Sequence, residues 1–145
     1  MKKNTTTCKV GITFGAFDIM HAGHYLMLKE AKEHCDYLIV GLDEDPSRVP
    51  ESYRGKKKNK PIQSIEERLI QLQGCRYVDE IVIYHSEDEL IEILKIKKPD
   101  IRIIGVDWKD KKFTGWDIPM EIYYNSRNHK YSTTELRQRI YDSNN

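Results

Sequence analysis

Five short apolar runs, separated by longer amphipathic stretches, limit this chain's fold more than any other feature. The runs are "KVGITF" (9–14), "YLIVGL" (37–42), "EIVIY" (80–84), "DIRIIGV" (100–106) and "EIYYN" (121–125). They have strand length and are rich in β-branched and aromatic residues. Helical periodicity occupies about 22–34, 65–73 and 87–97, and returns at 133–141. Ser64 with Glu67, Ser86 with Glu89 and Ser132 with Glu135 fit the S-x-x-E capping box, and Gly74 and Pro99 stand near two of the stops. Connections of this length join parallel strands. The pattern therefore predicts an α/β fold: a single doubly wound, mainly parallel five-stranded Rossmann-like sheet with helices on both faces. Such a sheet binds ligands at the carboxyl ends of its strands. Segments 15–24, 43–63, 105–119 and 126–134 would project from that edge.

A chain of 145 residues suits one domain with one core, 1–145, with loose tails expected at 1–7 and 142–145. An apolar share of 39% and a charged share of 32%, with mean hydropathy −0.69, read as a soluble globular protein. A net charge of +1 and a pI near 7.7 give no general reason to expect nucleic acid or membrane as a partner. Lys2 and Lys3 are followed by "NTTTCKV" rather than an apolar segment, so no signal peptide is expected, and no run is long enough to span a bilayer. Cys8, Cys35 and Cys75 are odd in number and widely spaced, which suits reduced, mostly buried thiols in a cytoplasm. The basic stretch "RGKKKNKP" (54–61) is a loop, too short to link domains.

The chemistry concentrates in "GAFDIMHAGH" (15–24), the turn from the first strand into the first helix. His21 and His24 stand at i and i+3 and share one helix face, where unpaired amides and the positive end of the dipole favour an anion. Phosphate is the leading guest. Imidazole donates to phosphoryl oxygens, and a protonated ring adds charge that helps more in the transition state. Gly15 and Gly23 would let backbone and ligand approach closely. A zinc site needs a third ligand, which no second His/Cys cluster supplies, so no protein-bound metal is expected. Simple packing of the two rings is the remaining alternative.

The segment resembles the G-T-F-D-x-x-H-x-G-H signature of the H-x-G-H nucleotidyltransferases, the cytidylyltransferase-like superfamily. The likeness runs from about Val10 to Ile140. "CRYVDEIVI" (75–83) is similar to the R-Y-V-D-E-V segment of glycerol-3-phosphate and phosphoethanolamine cytidylyltransferases, and "GVDW" (105–108) to their G-D-D-W. "SRNHKYSTTELRQRI" (126–140) falls on their R-T-E-G-I-S-T-T. The glycerol-3-phosphate enzymes are the closest group on these motifs.

The resemblance implies transfer of a nucleotide monophosphate to a phosphorylated alcohol, with release of pyrophosphate and no protein nucleophile. His21, His24 and Arg127 match the catalytic positions. Gly15, Ala16, Phe17, Gly23, Gly105, Asp107, Trp108, Ser132, Thr133 and Thr134 match nucleotide-binding ones. Ala16 replaces the family's threonine, leaving only backbone contact there, and Lys130 and Tyr131 replace its Gly-Ile, so that His129 or Lys130 can add phosphate contacts. One lysine of the basic loop should meet a phosphate, with Lys57, Lys58 and Lys60 all open. Arg68 should anchor that loop rather than touch substrate. Magnesium is expected on the phosphates with few protein ligands, and a homodimer is expected because relatives pair.

"RYVDEIV" and "GVDW" favour CTP with an acceptor such as glycerol 3-phosphate. "KPIQSIEER" and "YHSEDELIEIL" are similar instead to sugar-phosphate adenylyltransferases of the heptose type. The acidic stretch Glu87, Asp88, Glu89 stands near the place of an acceptor-binding lysine; it suits a cationic head group such as phosphoethanolamine or phosphocholine, or merely caps a helix. A non-catalytic nucleotide-binding protein is the alternative of a different class.

Overall fold

The structure is a computed structural model and describes residues 8–50 and 58–144. Its five strands are β1 (Val10–Gly15), β2 (Tyr37–Asp43), β3 (Glu80–Tyr84), β4 (Ile101–Gly105) and β5 (Glu121–Asn125). All pair in parallel, in the order β3-β2-β1-β4-β5. The four α-helices among the described residues are α1 (Ala22–Glu33), α2 (Ile65–Gln73), α3 (Glu87–Lys97) and α4 (Thr133–Ser143). This is the doubly wound arrangement expected from the alternation of elements, and its strand order reverses between β1 and β4.

The strand side chains alternate between two apolar layers. Leu38, Val40 and Leu42 pack with Leu28 and Ala31 of α1 and Leu72 of α2 on one face. Ile12 and Ile39 pack with Leu90, Ile93 and Leu94 of α3 on the other. Leu28 is fully buried, which is worth about 1.5–3 kcal/mol. A Cβ on Gly41 would lie 2.2 Å from the Phe14 ring, so this strand glycine makes room for an aromatic neighbour.

Helix α2 has the complete capping box expected of Ser64 and Glu67. At α3 and α4 the box is half formed. Ser86 accepts from the Glu89 amide and Ser132 from the Glu135 amide, but the Glu89 carboxylate turns to the His85 amide instead. The tail expected at 1–7 and the last residue of that expected at 142–145 lie outside the described residues. Asp142 and Ser143 stay helical, and Gln138 and the Ile140 carbonyl bond their side chains. Of the three cysteines, Cys75 is buried and Cys35 half-buried, while Cys8 is exposed. No helix among the described residues is long and apolar enough to cross a membrane.

Candidate active site

The loop after β1 carries strained backbone. Phe17 and Ile19 have φ of 51° and 48°, a left-handed conformation unfavourable for bulky or β-branched side chains. Long-range hydrogen bonds hold it. Asp18 accepts from the Ile62 and Gln63 amides at 2.9 and 3.0 Å and faces Arg137 of α4 at 3.4 Å, while Gln63 accepts from the Ile19 amide at 2.7 Å. Arg68 is 2% exposed and donates to four carbonyls, those of Ala16, Asp43, Glu44 and Gln63. It anchors the loops, as the sequence implied.

His21 is the N-cap of α1, and His24 completes its capping box. The Gly23 amide donates to His21 Nδ1 at 3.0 Å, and the His21 amide to His24 Nδ1 at 3.2 Å. With Nδ1 accepting in both rings, the neutral form of each carries its proton on Nε2. His21 Nε2 lies 3.2 Å from the Thr133 hydroxyl at the start of α4. The two ring centroids are 4.1 Å apart. Burial pushes the His24 pKa down to about 4, helped by its neighbour His21, and lowers that of His21 as well. Both rings are therefore neutral donors at pH 7, rather than the partly protonated pair allowed by the sequence reading. Phe17 is 4% exposed, and its ring supports His24 at a centroid distance of 5.6 Å.

The segment after β5 closes over these rings. A Cβ on Gly23 would meet the His21 ring, the His129 ring and the Tyr131 carbonyl at 2.8–3.0 Å. The protein's own loop thus leaves no room for a side chain at Gly23, which also lines the cleft. A Cβ on Gly15 would meet the Phe17 ring at 3.0 Å. Arg127 is exposed, with φ 47°, and lies 3.6 Å from Asp107. Gly105 gives the Asp107 carboxylate and the Arg127 guanidinium room against the backbone. The Ser132 hydroxyl caps α4, and Ser132, Thr133 and Thr134 line the cleft with Trp108. Ala16 also lines it, although its carbonyl is taken by Arg68. Lys58 lines it too; Lys60 is exposed near Asp45, whose pKa it helps to lower, and Lys57 lies outside the described residues.

The cleft holds about 1110 Å³ and extends well beyond the histidines. Asp43, Tyr84, Glu87 and Arg102 line another part of it and belong to a charged cluster that the sequence did not reveal. Arg48 pairs with the buried Asp43 and, at 2.9 Å, with Glu87. Tyr84 donates to Asp43 at 3.3 Å, and the Thr114 hydroxyl to Glu87 at 2.6 Å. Arg102 sits between the Phe14 and Phe113 rings, 4.9 Å from each centroid. Its one available signal was a charge among the isoleucines of "IRII". Glu87 is held by Arg48 and Thr114, and Glu89 by the His85 amide, so neither carboxylate stands free for a cationic head group.

Among the described residues no three His, Cys, Asp or Glu side chains are grouped to hold a metal. Asp18, the carboxylate acting on His24, is engaged by two amides and Arg137.

A carboxyl edge at the strand-order reversal, with paired imidazole donors at a helix start, defines a phosphate-handling α/β site. The cytidylyltransferase-like family model matches residues 12–139, and the chain belongs to that family of nucleotidyltransferases. It is 40% identical over 137 residues to the bifunctional protein HldE of Campylobacter concisus, covering 94% of this chain and 28% of that one. It is 37% identical over 134 residues to the HldE of a Campylobacter jejuni subsp. jejuni strain, covering 92% and 28%. The chain thus spans just over a quarter of the length of these relatives. Two solved structures share the fold. The lipopolysaccharide core biosynthesis protein from Thermoplasma volcanium is 24% identical with TM-score 0.56, covering 95% of this chain and 90% of that one. Pantoate–β-alanine ligase from Francisella tularensis is 16% identical with TM-score 0.51, covering 93% and 70%.

Proposed function

We propose that this protein transfers an adenylyl group from ATP to a sugar phosphate and releases pyrophosphate. The observation that carries this reading is the 40% identity to an HldE protein through 94% of the chain, since HldE proteins have a heptose-1-phosphate adenylyltransferase domain. "KPIQSIEER" and "YHSEDELIEIL" point the same way. The preference for CTP and glycerol 3-phosphate, drawn from "RYVDEIV" and "GVDW", yields to it.

In the reaction an oxygen of the acceptor's phosphate attacks the α-phosphorus in line. One P–O bond forms, the bond to the bridging oxygen breaks, and pyrophosphate leaves. The Nε2–H donors of His21 and His24 meet the charge developing on the phosphoryl oxygens, with no reorganisation needed because Nδ1 of each ring is already fixed. Arg127 lies over the departing pyrophosphate, assisted by Thr133 and Thr134 at the start of α4. One lysine of the basic loop would add charge, and of the three candidates Lys58 lines the cleft. Asp107 and Trp108, beside the Gly105 backbone, receive the nucleoside. Magnesium would accompany the triphosphate with few ligands from the protein and would offset its charge.

The test is pyrophosphate release with ATP or CTP across a heptose 1-phosphate, a hexose 1-phosphate, glycerol 3-phosphate and phosphoethanolamine. ATP with a sugar phosphate should give the highest kcat/KM. CTP with glycerol 3-phosphate at the highest value would restore the cytidylyl reading.

A further inference from the structure

Arg102 is 5% exposed, in the centre of a parallel sheet, on a strand whose other central side chains are isoleucines. Its guanidinium makes one hydrogen bond among the described residues, from Nη1 to the Thr114 carbonyl at 2.6 Å, and Nε is buried with no partner. No carboxylate of the described residues forms an ion pair with it. Burial accordingly pushes its pKa down to about 10, against the attraction of Tyr84 and Glu87. A buried cation with unused donors is costly, and one lining a cleft gains if a ligand supplies the missing acceptors.

We propose that Arg102 is an acceptor-specificity residue, whose free guanidinium edge is completed by hydroxyl oxygens on the carbon skeleton of the acceptor. The inference rests on the transfer reading above and names the part of the cleft that selects the acceptor. Charge decides the ligand class. Asp43, Glu87 and Arg102 line the cleft, and Arg48 pairs with both carboxylates, so the two guanidiniums and two carboxylates of the cluster balance. A cationic head group would meet the unpaired Arg102, and a second anion would meet Glu87. A neutral polyol suffers neither penalty. Its hydroxyl oxygens can accept from Arg102, whose guanidinium is itself held between the Phe14 and Phe113 rings at the cleft wall. A guanidinium left unmatched by an acceptor lacking those hydroxyls then works against that acceptor.

The competing role is purely structural, with Arg102 holding the 109–119 loop through Thr114. The two roles separate in kinetics on the full chain, with wild type, R102K and R102M compared on a heptose 1-phosphate and on glycerol 3-phosphate, whose skeleton is shorter. R102M should raise the KM of the sugar phosphate by about tenfold or more, with the triphosphate KM unchanged, and so reduce the preference for it over glycerol 3-phosphate. R102K keeps the charge but loses the fork, and should fall between. If R102M fails to fold, R102K carries the test through the same ratio. Equal loss of kcat/KM on both acceptors, or no loss on either, would overturn the specificity role while leaving the proposed function standing. Absence of transfer to any sugar phosphate by wild type would overturn both.

Discussion

The two halves of the cleft are built by different means. At the histidine end local contacts orient the rings: the Gly23 amide donates to His21 and the His21 amide to His24 within three residues. Long-range bonds of His21 to Thr133 and of Asp18 to the Ile62 and Gln63 amides hold the segment in place. At the Arg102 end the defining contacts span the chain, with Arg48 reaching Glu87 across 39 positions and Thr114 reaching Glu87 across 27. A ring oriented by local hydrogen bonds keeps its direction when distant parts of the core change. A site made of long-range pairs is only as good as the register of several strands and loops. Arg68 joins the two, because one guanidinium bonds Ala16 on the histidine side and Asp43 on the other.

The largest expected effect tests whether the histidine end acts chemically or only starts a helix. His21→Asn keeps a good N-cap but lacks the imidazole Nε2–H. It should retain the wild-type melting temperature within a few degrees while kcat drops by ~10²–10³, the scale of a lost transition-state donor. His24→Ala should lose comparable activity. Native circular dichroism with near-normal turnover in both variants would reduce the histidines to capping residues.

Next is the bridge. Arg68→Met leaves four carbonyls without their donor and should destabilise the fold by about 3 kcal/mol, measured by urea unfolding. Unchanged stability would mean that the halves stand independently.

Acid should strike the histidine end. The His24 pKa in the folded state is about 4, below the ordinary value of 6.5, so between these values the unfolded chain binds the extra proton. This contribution to stability is complete above pH 6.5, lost as pH falls towards 4, and level below that. Its size is on the order of 3 kcal/mol. In His24→Gln that part of the pH dependence should disappear from the unfolding midpoints; an unaltered profile would assign it to other groups.

The smallest pair of effects separates binding from capping within one segment. Arg127 is exposed and weakly paired, so Arg127→Ala should leave stability within ~0.5 kcal/mol but weaken triphosphate binding and turnover, with Arg127→Lys intermediate. Ser132→Ala should cost ~1 kcal/mol of stability and retain much of the activity. A calorimetric titration in which Arg127→Ala binds ATP like wild type would remove the pyrophosphate role.

The sequence by itself determined the sheet, the order of helices and strands, and the position of the histidine pair. The physical reason is that these depend on period, capping and turn chemistry, which act over a few neighbouring residues and leave a pattern in the string. "SIEE" predicts its cap because both partners lie within one turn, and "GAFDIMHAGH" carries its own helix start. Only the tertiary structure decided that Gly23 yields to His129 and Tyr131, that His24 is held neutral, and that Asp43, Arg48, Glu87 and Arg102 meet. Those four come from β2, the turn after it, the start of α3 and β4. Their meeting depends on strand register and the loss of water around them, and neither is a property of any short stretch of sequence.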